Sequence, residues 1–260
     1  MTQWLLLPVK LSIVPVDTAS QPIGECCYAI LVVDSGSSCV VDFWLTNLVP
    51  DASTYCLAFY NALFHPAAPK WPLRGIPENV ALPTQFADDT ALCKAAAYLM
   101  VGVRGIENVE DELKSRKAIR TLLREIQSLH KPPLISTRRR GPMQHYTIVE
   151  AERTIRTWLY NRSFADHQVK LAPPTLRKYG VVLPGYNTPA AGWLLPVIGS
   201  TRTIRDGIEL EKLVYSNPEA GIEPGIDVQV RSLPAQFGRA QGVFIEYTSG
   251  LLTYLRLVPR

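Results

Sequence analysis

The chain has 260 residues, 47% of them hydrophobic, which is enough for one large domain or two small ones with a packed core. Its five cysteines are odd in number and lack CxxC spacing, so they imply neither disulfides nor zinc and indicate reduced core thiols in a cytoplasmic protein. No apolar run approaches the ~20 residues of a membrane span, and the N-terminus has no signal-peptide pattern.

The formal net charge of +4 is unevenly distributed along the chain. The stretch up to Asp111 is acidic, whereas residues 114–178 are strongly basic. A basic segment of this kind is typical of contact with a polyanion, most often nucleic acid, although solvated helix faces would have the same composition. The side chains that we expect to contact DNA are Arg116, Arg120, Arg124, Arg138, Arg139, Arg140, Arg162, Lys170, Arg177 and Lys178.

The chain opens with a predicted meander of three antiparallel strands. Residues 4–16 form an apolar strand pattern interrupted by Pro8 and Pro15. Residues 26–34 and 39–46 are two further strands, joined by the turn sequence DSGSS at 34–38.

The same turn resembles the catalytic loop of an aspartic protease, which begins Asp-Ser/Thr-Gly. That chemistry requires two carboxylates about 3 Å apart that share one proton. The nearest second candidate, residues 87–90 (ADDT), contains no glycine. We therefore interpret Asp34 as a turn residue and keep an aspartic protease as an alternative.

The next part of the chain alternates between helices and strands. The last helix begins at a capping box formed by Thr147 and Glu150, and ends at Tyr160. A helix at 88–101 has Asp88 or Asp89 as its N-cap and Gly102 just past its end. The other predicted elements are a helix at 53–64, strands at 79–82 and 103–106, and a long helix at 109–130.

From Gly185 onward, proline and glycine punctuate short strands. Short strands at close spacing indicate a small closed β-barrel. The strands are predicted at 202–204, 208–215, 225–231, 242–247 and 251–257. We expect a core at 1–131, a basic linker at 132–146, a closing helix segment of the core at 147–184, and the barrel at 185–260.

This order of elements resembles the transposase and retroviral integrase superfamily, and within it the Mu-type transposases. The resemblance implies an α/β fold: an RNase H-like mixed five-stranded sheet with flanking helices, followed by a small all-β barrel. Four stretches carry it, at residues 75–80 (GIPENV), 115–122 (SRKAIRTL), 160–175 (from YNRS to PPT) and 206–245 (from DGIEL to VFI).

Members of this family use three carboxylates to hold two divalent metal ions. The corresponding positions here are Leu7, Leu82 and Ser115, and neither leucine nor serine can replace a carboxylate on a hard metal ion. The resemblance therefore implies a catalytically inactive protein without a metal cofactor. The alternative is an active recombinase that binds Mg²⁺ through relocated acids, such as Asp34, Asp88 or Glu112.

The resemblance also implies partners. We expect double-stranded DNA, together with an active transposase or another transposon protein such as an AAA+ ATPase, and no membrane. Related transposases carry DNA-end-binding domains before the core; because Met1 opens the first predicted strand, we expect them to be lacking here. The expected role is a structural or regulatory component of DNA transposition or integration in the cytoplasm, associated with DNA. A scaffold that kept only the fold is a further alternative.

Overall fold

A computed structural model of the chain describes residues 3–11, 13–17, 19–37, 39–64, 75–109, 111, 120, 121, 124, 145–165, 187–233 and 242–258. These residues belong to two units. The first unit comprises Met1–Asp89 and Met100–Leu183, and the second comprises Thr90–Leu99 and Pro184–Arg260. The helix at 90–99 thus groups with the second unit, whereas the boundaries drawn from the sequence place it in the core.

The first unit contains a mixed five-stranded sheet with the strand order β4-β3-β1-β5-β6. β3 pairs antiparallel with both β1 and β4, while β5 runs parallel to β1 and β6 runs parallel to β5. A short parallel pair, β2 with β7, lies outside this sheet. The strands are β1 (Gln3–Leu11), β2 (Val14–Pro15), β3 (Cys27–Asp34), β4 (Val40–Thr46), β5 (Asn79–Pro83), β6 (Gly102–Ile106) and β7 (His145–Tyr146).

The first half of the central strand β1 is buried on both faces. Trp4, Leu5, Leu6 and Leu7 are all in the core, as expected for a strand that has neighbours on both edges and helices over the sheet. Pro8 does not interrupt β1, contrary to the predicted break. β5 pairs only with Gln3–Leu5, so Pro8 lies in the half of β1 that β5 does not reach, where a missing backbone N–H is tolerated.

The β3–β4 hairpin forms as predicted, with Asp34 in its turn. The Asp34 Oδ2 atom accepts hydrogen bonds from the Ser37 backbone N–H at 2.8 Å and from the Ser37 hydroxyl at 2.6 Å. The Asp34 backbone N–H donates to the Cys39 carbonyl at 2.9 Å. An aspartate that satisfies its own turn in this way explains why the chain reverses at DSGSS.

Among its described residues, the first unit includes the helix α1 (Ala52–Phe64), the short helix α2 (Thr84–Ala87) and, later in the chain, a helix at Ile148–Ala165. The predicted capping box at the start of the last helix is confirmed. The Glu150 backbone N–H donates to the Thr147 hydroxyl at 3.2 Å, and the Thr147 backbone N–H donates to Glu150 Oε2 at 3.0 Å. These bonds satisfy otherwise unpaired backbone groups and lower the pKa of the Glu150 carboxyl.

The second unit joins two helices to a β-barrel. Its helices are α3 (Thr90–Tyr98) and α5 (Pro189–Leu194). The helix of the first unit at Ile148–Ala165 lies between them in the chain and is called α4. The Tyr98 and Trp193 rings of α3 and α5 meet edge to face, with centroids 6.1 Å apart. A Cβ at Gly192 would lie 2.7 Å from a ring carbon of Phe244, so the absence of a side chain lets α5 approach the barrel closely.

Six antiparallel strands close the barrel in the order β10-β13-β12-β11-β8-β9. Its interior holds Ile208, Val230, Ile245 and Leu255, all fully buried. The strands are β8 (Val197–Ile204), β9 (Gly207–Leu210), β10 (Leu213–Ser216), β11 (Asp227–Arg231), β12 (Gly242–Glu246) and β13 (Leu252–Leu257). The prediction of a small closed barrel is confirmed.

Several predicted boundaries are wrong. The strand predicted at 208–215 is two strands, because Glu211 and Lys212 adopt positive φ of 50° and 66° and form a tight hairpin turn. The helix predicted at 88–101 begins at Thr90 and ends at Tyr98, and Met100 takes the left-handed conformation expected of a C-terminal glycine. Gly102 instead starts β6, where a Cβ would collide with the Asn79 side chain on β5.

The described part of the chain contains no helix that is both long and apolar enough to cross a membrane. All five cysteines are free thiols, and four of them are buried. Burial raises the pKa of the Cys27 thiol to about 12, so it is an inert core group.

Candidate functional site

Two of the three positions that the family resemblance assigns to carboxylates lie on neighbouring strands of the sheet, just beyond the last residues that pair the two strands. Leu7 on β1 and Leu82 on β5 are both 0% exposed. Their strands are adjacent and parallel, with Leu5 paired to Ala81. The third position, Ser115, lies outside the described residues. Because Leu7 comes two residues after Leu5 and Leu82 one residue after Ala81, strand alternation directs their side chains to opposite faces of the sheet. Both positions hold buried hydrocarbon, which supplies no metal ligand.

Asp34, one of the acids that could have been relocated to a metal site, is far from these positions. It lies opposite Trp4 in the β1–β3 ladder, whereas Leu7 lies opposite Leu31. Three residues of strand separate Asp34 from Leu31, which is about 10 Å. A carboxylate at that distance cannot share a metal ion with ligands near Leu7 and Leu82.

Three other acids of the N-terminal half lie in turns or next to helix ends, namely Asp17, Asp88 and Asp89. Asp88 is exposed at the C-terminal end of α2, and the Cys56 thiol donates to Asp89 Oδ1 at 3.6 Å. Asp17 accepts hydrogen bonds from two backbone N–H groups of its own turn. Glu112 lies outside the described residues. Within the described ranges, no group of three or more His, Cys, Asp or Glu side chains is arranged to hold a metal ion.

Asp42 on β4 is buried and paired with Arg156 on α4. The Arg156 Nη1 atom lies 3.3 Å from Asp42 Oδ1, and its Nη2 atom lies 2.8 Å from Glu152 Oε1. The guanidinium also stands 4.9 Å from the centroid of the Phe43 ring. Burial raises the pKa of the Asp42 carboxyl to about 6, and the Arg156 charge opposes that rise. Arg156 therefore joins α4 to the sheet, although the sequence places it in the basic segment.

Little of the predicted DNA-contacting set falls among the described residues. Arg120 and Arg124 are helical and exposed, and their four-residue spacing places them on one helix face. Arg162 lies in the last turn of α4. The remaining members lie outside the described residues: Arg116, Arg138, Arg139, Arg140, Lys170, Arg177 and Lys178.

Two arginines of the barrel are neutralised by neighbouring acids. Arg231 lies 2.6 Å from Glu246, and both side chains are mostly buried. Arg202 lies 2.9 Å from Asp227 on the exposed surface. These pairs make both side chains poorer candidates for phosphate contacts than the exposed Arg120 and Arg124.

A cleft of about 780 Å³ opens in the first unit, beside the degenerate positions. It borders β1 directly after Leu7 and β5 directly after Leu82. Its polar lining residues are Lys10, Thr84, Gln85, Glu107 and Asn108. Its walls are mainly prolines and aromatic rings, namely Pro8, Tyr28, Pro50, Tyr55, Pro83 and Phe86.

No expectation from the sequence located this cleft. Its lining comes from β1, β3, the start of α1, the end of β5 with α2, and the segment after β6. The prolines that follow Leu7 and Leu82 are the sequence feature that points to it. A proline within a strand indicates an edge that lacks a paired neighbour.

Neither a scan against protein-family models nor a search of curated proteins gave a match for this sequence.

Proposed function

We propose that this chain is a catalytically inactive, transposase-like DNA-binding protein that acts as a structural or regulatory component of DNA transposition or integration. The proposal treats the mixed sheet as RNase H-like and the barrel as the Mu-type C-terminal domain. The order β4-β3-β1-β5-β6 supports this, since three antiparallel strands are followed by two strands parallel to the first, and a closed barrel comes after them.

The observation that carries the proposal is the burial of Leu7 and Leu82 on adjacent strands. Two-metal phosphoryl transfer needs several carboxylates converging on ions about 4 Å apart. Hydrocarbon side chains at these positions supply no ligand. Asp34 lies in a turn, Asp88 at a helix end and Asp42 in an ion pair. Binding and assembly are therefore the functions that this core supports better than cleavage.

The partners proposed are double-stranded DNA and a second transposition protein, either an active transposase or an ATPase of the element. The basic segment supports the first, with Arg120 and Arg124 exposed on one helix face. Such contacts would go mainly to phosphates and carry little sequence preference.

Inactivity is tested by incubating the full chain with labelled duplex DNA and either Mg²⁺ or Mn²⁺. We expect no metal-dependent nicking or strand transfer, and no divalent ion bound at micromolar affinity in calorimetric titration. Metal-dependent strand transfer that is lost in Asp88→Asn would overturn the proposal in favour of an active enzyme with relocated ligands. Proteolysis lost in Asp34→Asn would instead revive the aspartic protease.

A further inference from the structure

The cleft of the first unit exists because β1 and β5 separate. β5 pairs with Gln3–Leu5 and then turns into α2 at Thr84, while β1 continues to Leu11. Among the described residues, no strand pairs with the second half of β1 on this side. A strand edge and an open groove therefore lie next to each other.

The backbone along this edge is poorly suited to adding another strand. The Gln3 carbonyl accepts a hydrogen bond at 2.8 Å from the N–H of Ser35, which directly follows β3. Hydrogen bonding alternates along an antiparallel ladder, so Leu6, Pro8 and Lys10 direct their backbone groups to the other edge. Because Pro8 has no N–H, a continuous ladder cannot form there. Recognition in the groove must therefore rely on side chains.

Aromatic rings and prolines line the groove, with Phe86 and Tyr28 more accessible than Tyr55. The Tyr55 ring is buried and packs against the half-buried Phe86 ring, with centroids 4.9 Å apart and planes tilted by 32°. Tyr28, also half-buried, lies opposite Lys10 in the β1–β3 ladder. Aromatic-lined grooves of this kind bind proline-rich segments in the polyproline II conformation, which needs few backbone hydrogen bonds from its receptor.

The charge of the groove favours a peptide over nucleic acid. Lys10 and Glu107 are its only charged lining residues among those described, and their formal charges cancel. Nucleic acid would require several cations along the phosphates. Lys10 is exposed, and no described carboxylate forms a salt bridge with it. A ligand with an acidic residue near Lys10 would complement this site.

We infer that this cleft is a docking site for a proline-rich segment of a partner protein, with an acidic residue that pairs with Lys10. The volume of about 780 Å³ falls in the range of ligand-sized pockets and holds a few peptide residues. The inference rests on the proposed function in one respect, that the chain assembles with another protein. It does not depend on DNA binding.

The test measures fluorescence anisotropy of short labelled peptides added to the full chain. One peptide is proline-rich with a single Asp, a second has Lys in place of that Asp, and a third has the prolines replaced by Ser. Short oligothymidylate is the nucleic-acid probe. The variant is Lys10→Glu, and the matched control is Lys94→Glu, at another exposed lysine, on α3 of the second unit. Phe86→Leu removes a ring while keeping an apolar side chain, and thermal melting verifies its fold.

We expect the acidic proline-rich peptide to bind the native chain more tightly than the Ser peptide. Lys10→Glu should lower the affinity for the acidic peptide by about fivefold and raise the affinity for the Lys peptide. Lys94→Glu should change neither affinity. Phe86→Leu should weaken both proline-rich peptides. Equal affinities for the proline-rich and Ser peptides would overturn the inference, and so would equal effects of the two lysine variants. A third contrary result is a Lys10→Glu variant that loses affinity for oligothymidylate alone, which would make the cleft a nucleic-acid site. Duplex DNA binding, measured on the same samples, should be unaffected by Lys10→Glu and reports on the proposed function separately.

Discussion

The Arg156 guanidinium on α4 lies 3.3 Å from the carboxylate of Asp42 on β4, and the two residues are separated by 114 positions in sequence. The Asp42 side chain is 4% exposed, so Arg156 neutralises a charge that water barely reaches. This pair connects α4, which lies within the basic segment, to the sheet of the first unit.

Replacing Arg156 with Ala should destabilise the protein strongly. The change leaves a buried carboxylate without its partner and removes the cation from the Phe43 ring, so we expect a loss of about 3 kcal/mol in the free energy of unfolding. Urea denaturation measures it. Arg202→Ala breaks the exposed pair with Asp227 and should cost less than about 1 kcal/mol. Equal losses of unfolding free energy in the two variants would show that the buried Asp42 pair stabilises the fold no more than the exposed pair does.

Asp42 should also make stability depend on pH. Its pKa is raised from 3.8 to about 6 in the folded protein, so the folded state holds this proton more tightly than the unfolded state does. The resulting stabilisation is fully present below about pH 4 and is lost as pH rises through about 6, a change of about 3 kcal/mol. Denaturation at several pH values should therefore show Asp42→Asn gaining stability relative to the native protein between pH 4 and 6. A constant difference over that interval would contradict the raised pKa.

Asp34 is predicted to have a structural role only. Asp34→Asn should leave DNA binding unchanged and cost at most about 1 kcal/mol, because an amide oxygen can still accept from the Ser37 N–H and hydroxyl. Ser37→Ala is the matched change on the other side of the turn. Loss of function in a folded Asp34→Asn protein would show that this carboxylate does chemistry.

Gly192 should tolerate no side chain. A Cβ there would lie 2.7 Å from Phe244 and 2.9 Å from Leu252, so Gly192→Ala must shift α5 or the barrel and should cost about 1–3 kcal/mol. Gly199→Ala is the control, since a Cβ at that position meets nothing within 4 Å. Thermal melting compares the two variants. Similar melting temperatures would mean that α5 is not closely packed on Phe244.

The predictable elements are those that short-range chemistry determines. The DSGSS turn lies between two apolar strands, and the Thr147–Glu150 capping box marks a helix start, so both could be located from neighbouring residues alone. The helix α5 was not predicted because PAAGWL has weak helical signals; its Gly192 makes sense only once Phe244 packs against it. The start of β8 was missed because Val197 and Ile198 are exposed and lack the inward–outward alternation of a strand.

The same distinction applies to the candidate site. Leu7 and Leu82 were singled out by resemblance, and their burial on adjacent strands required tertiary structure. The cleft beside them could not be predicted, because Lys10, Tyr28, Tyr55 and Phe86 come from distant segments that only the folded sheet brings together.

The most direct test of the central proposal is the affinity of the full chain for duplex DNA as a function of salt concentration. We expect binding that weakens steeply with salt, and we expect replacement of Arg138, Arg139 and Arg140 with Ala to weaken it on all sequences. The slope of log affinity against log salt should fall by up to about 0.9 per lost phosphate contact. A matched triple variant removes as many charges from the second unit and should change this slope less; it combines Lys94→Ala, Arg202→Ala and Arg205→Ala. Absence of duplex binding at low salt, or an unchanged slope in the Arg138–Arg140 variant, would contradict the account and leave a protein scaffold as the better explanation.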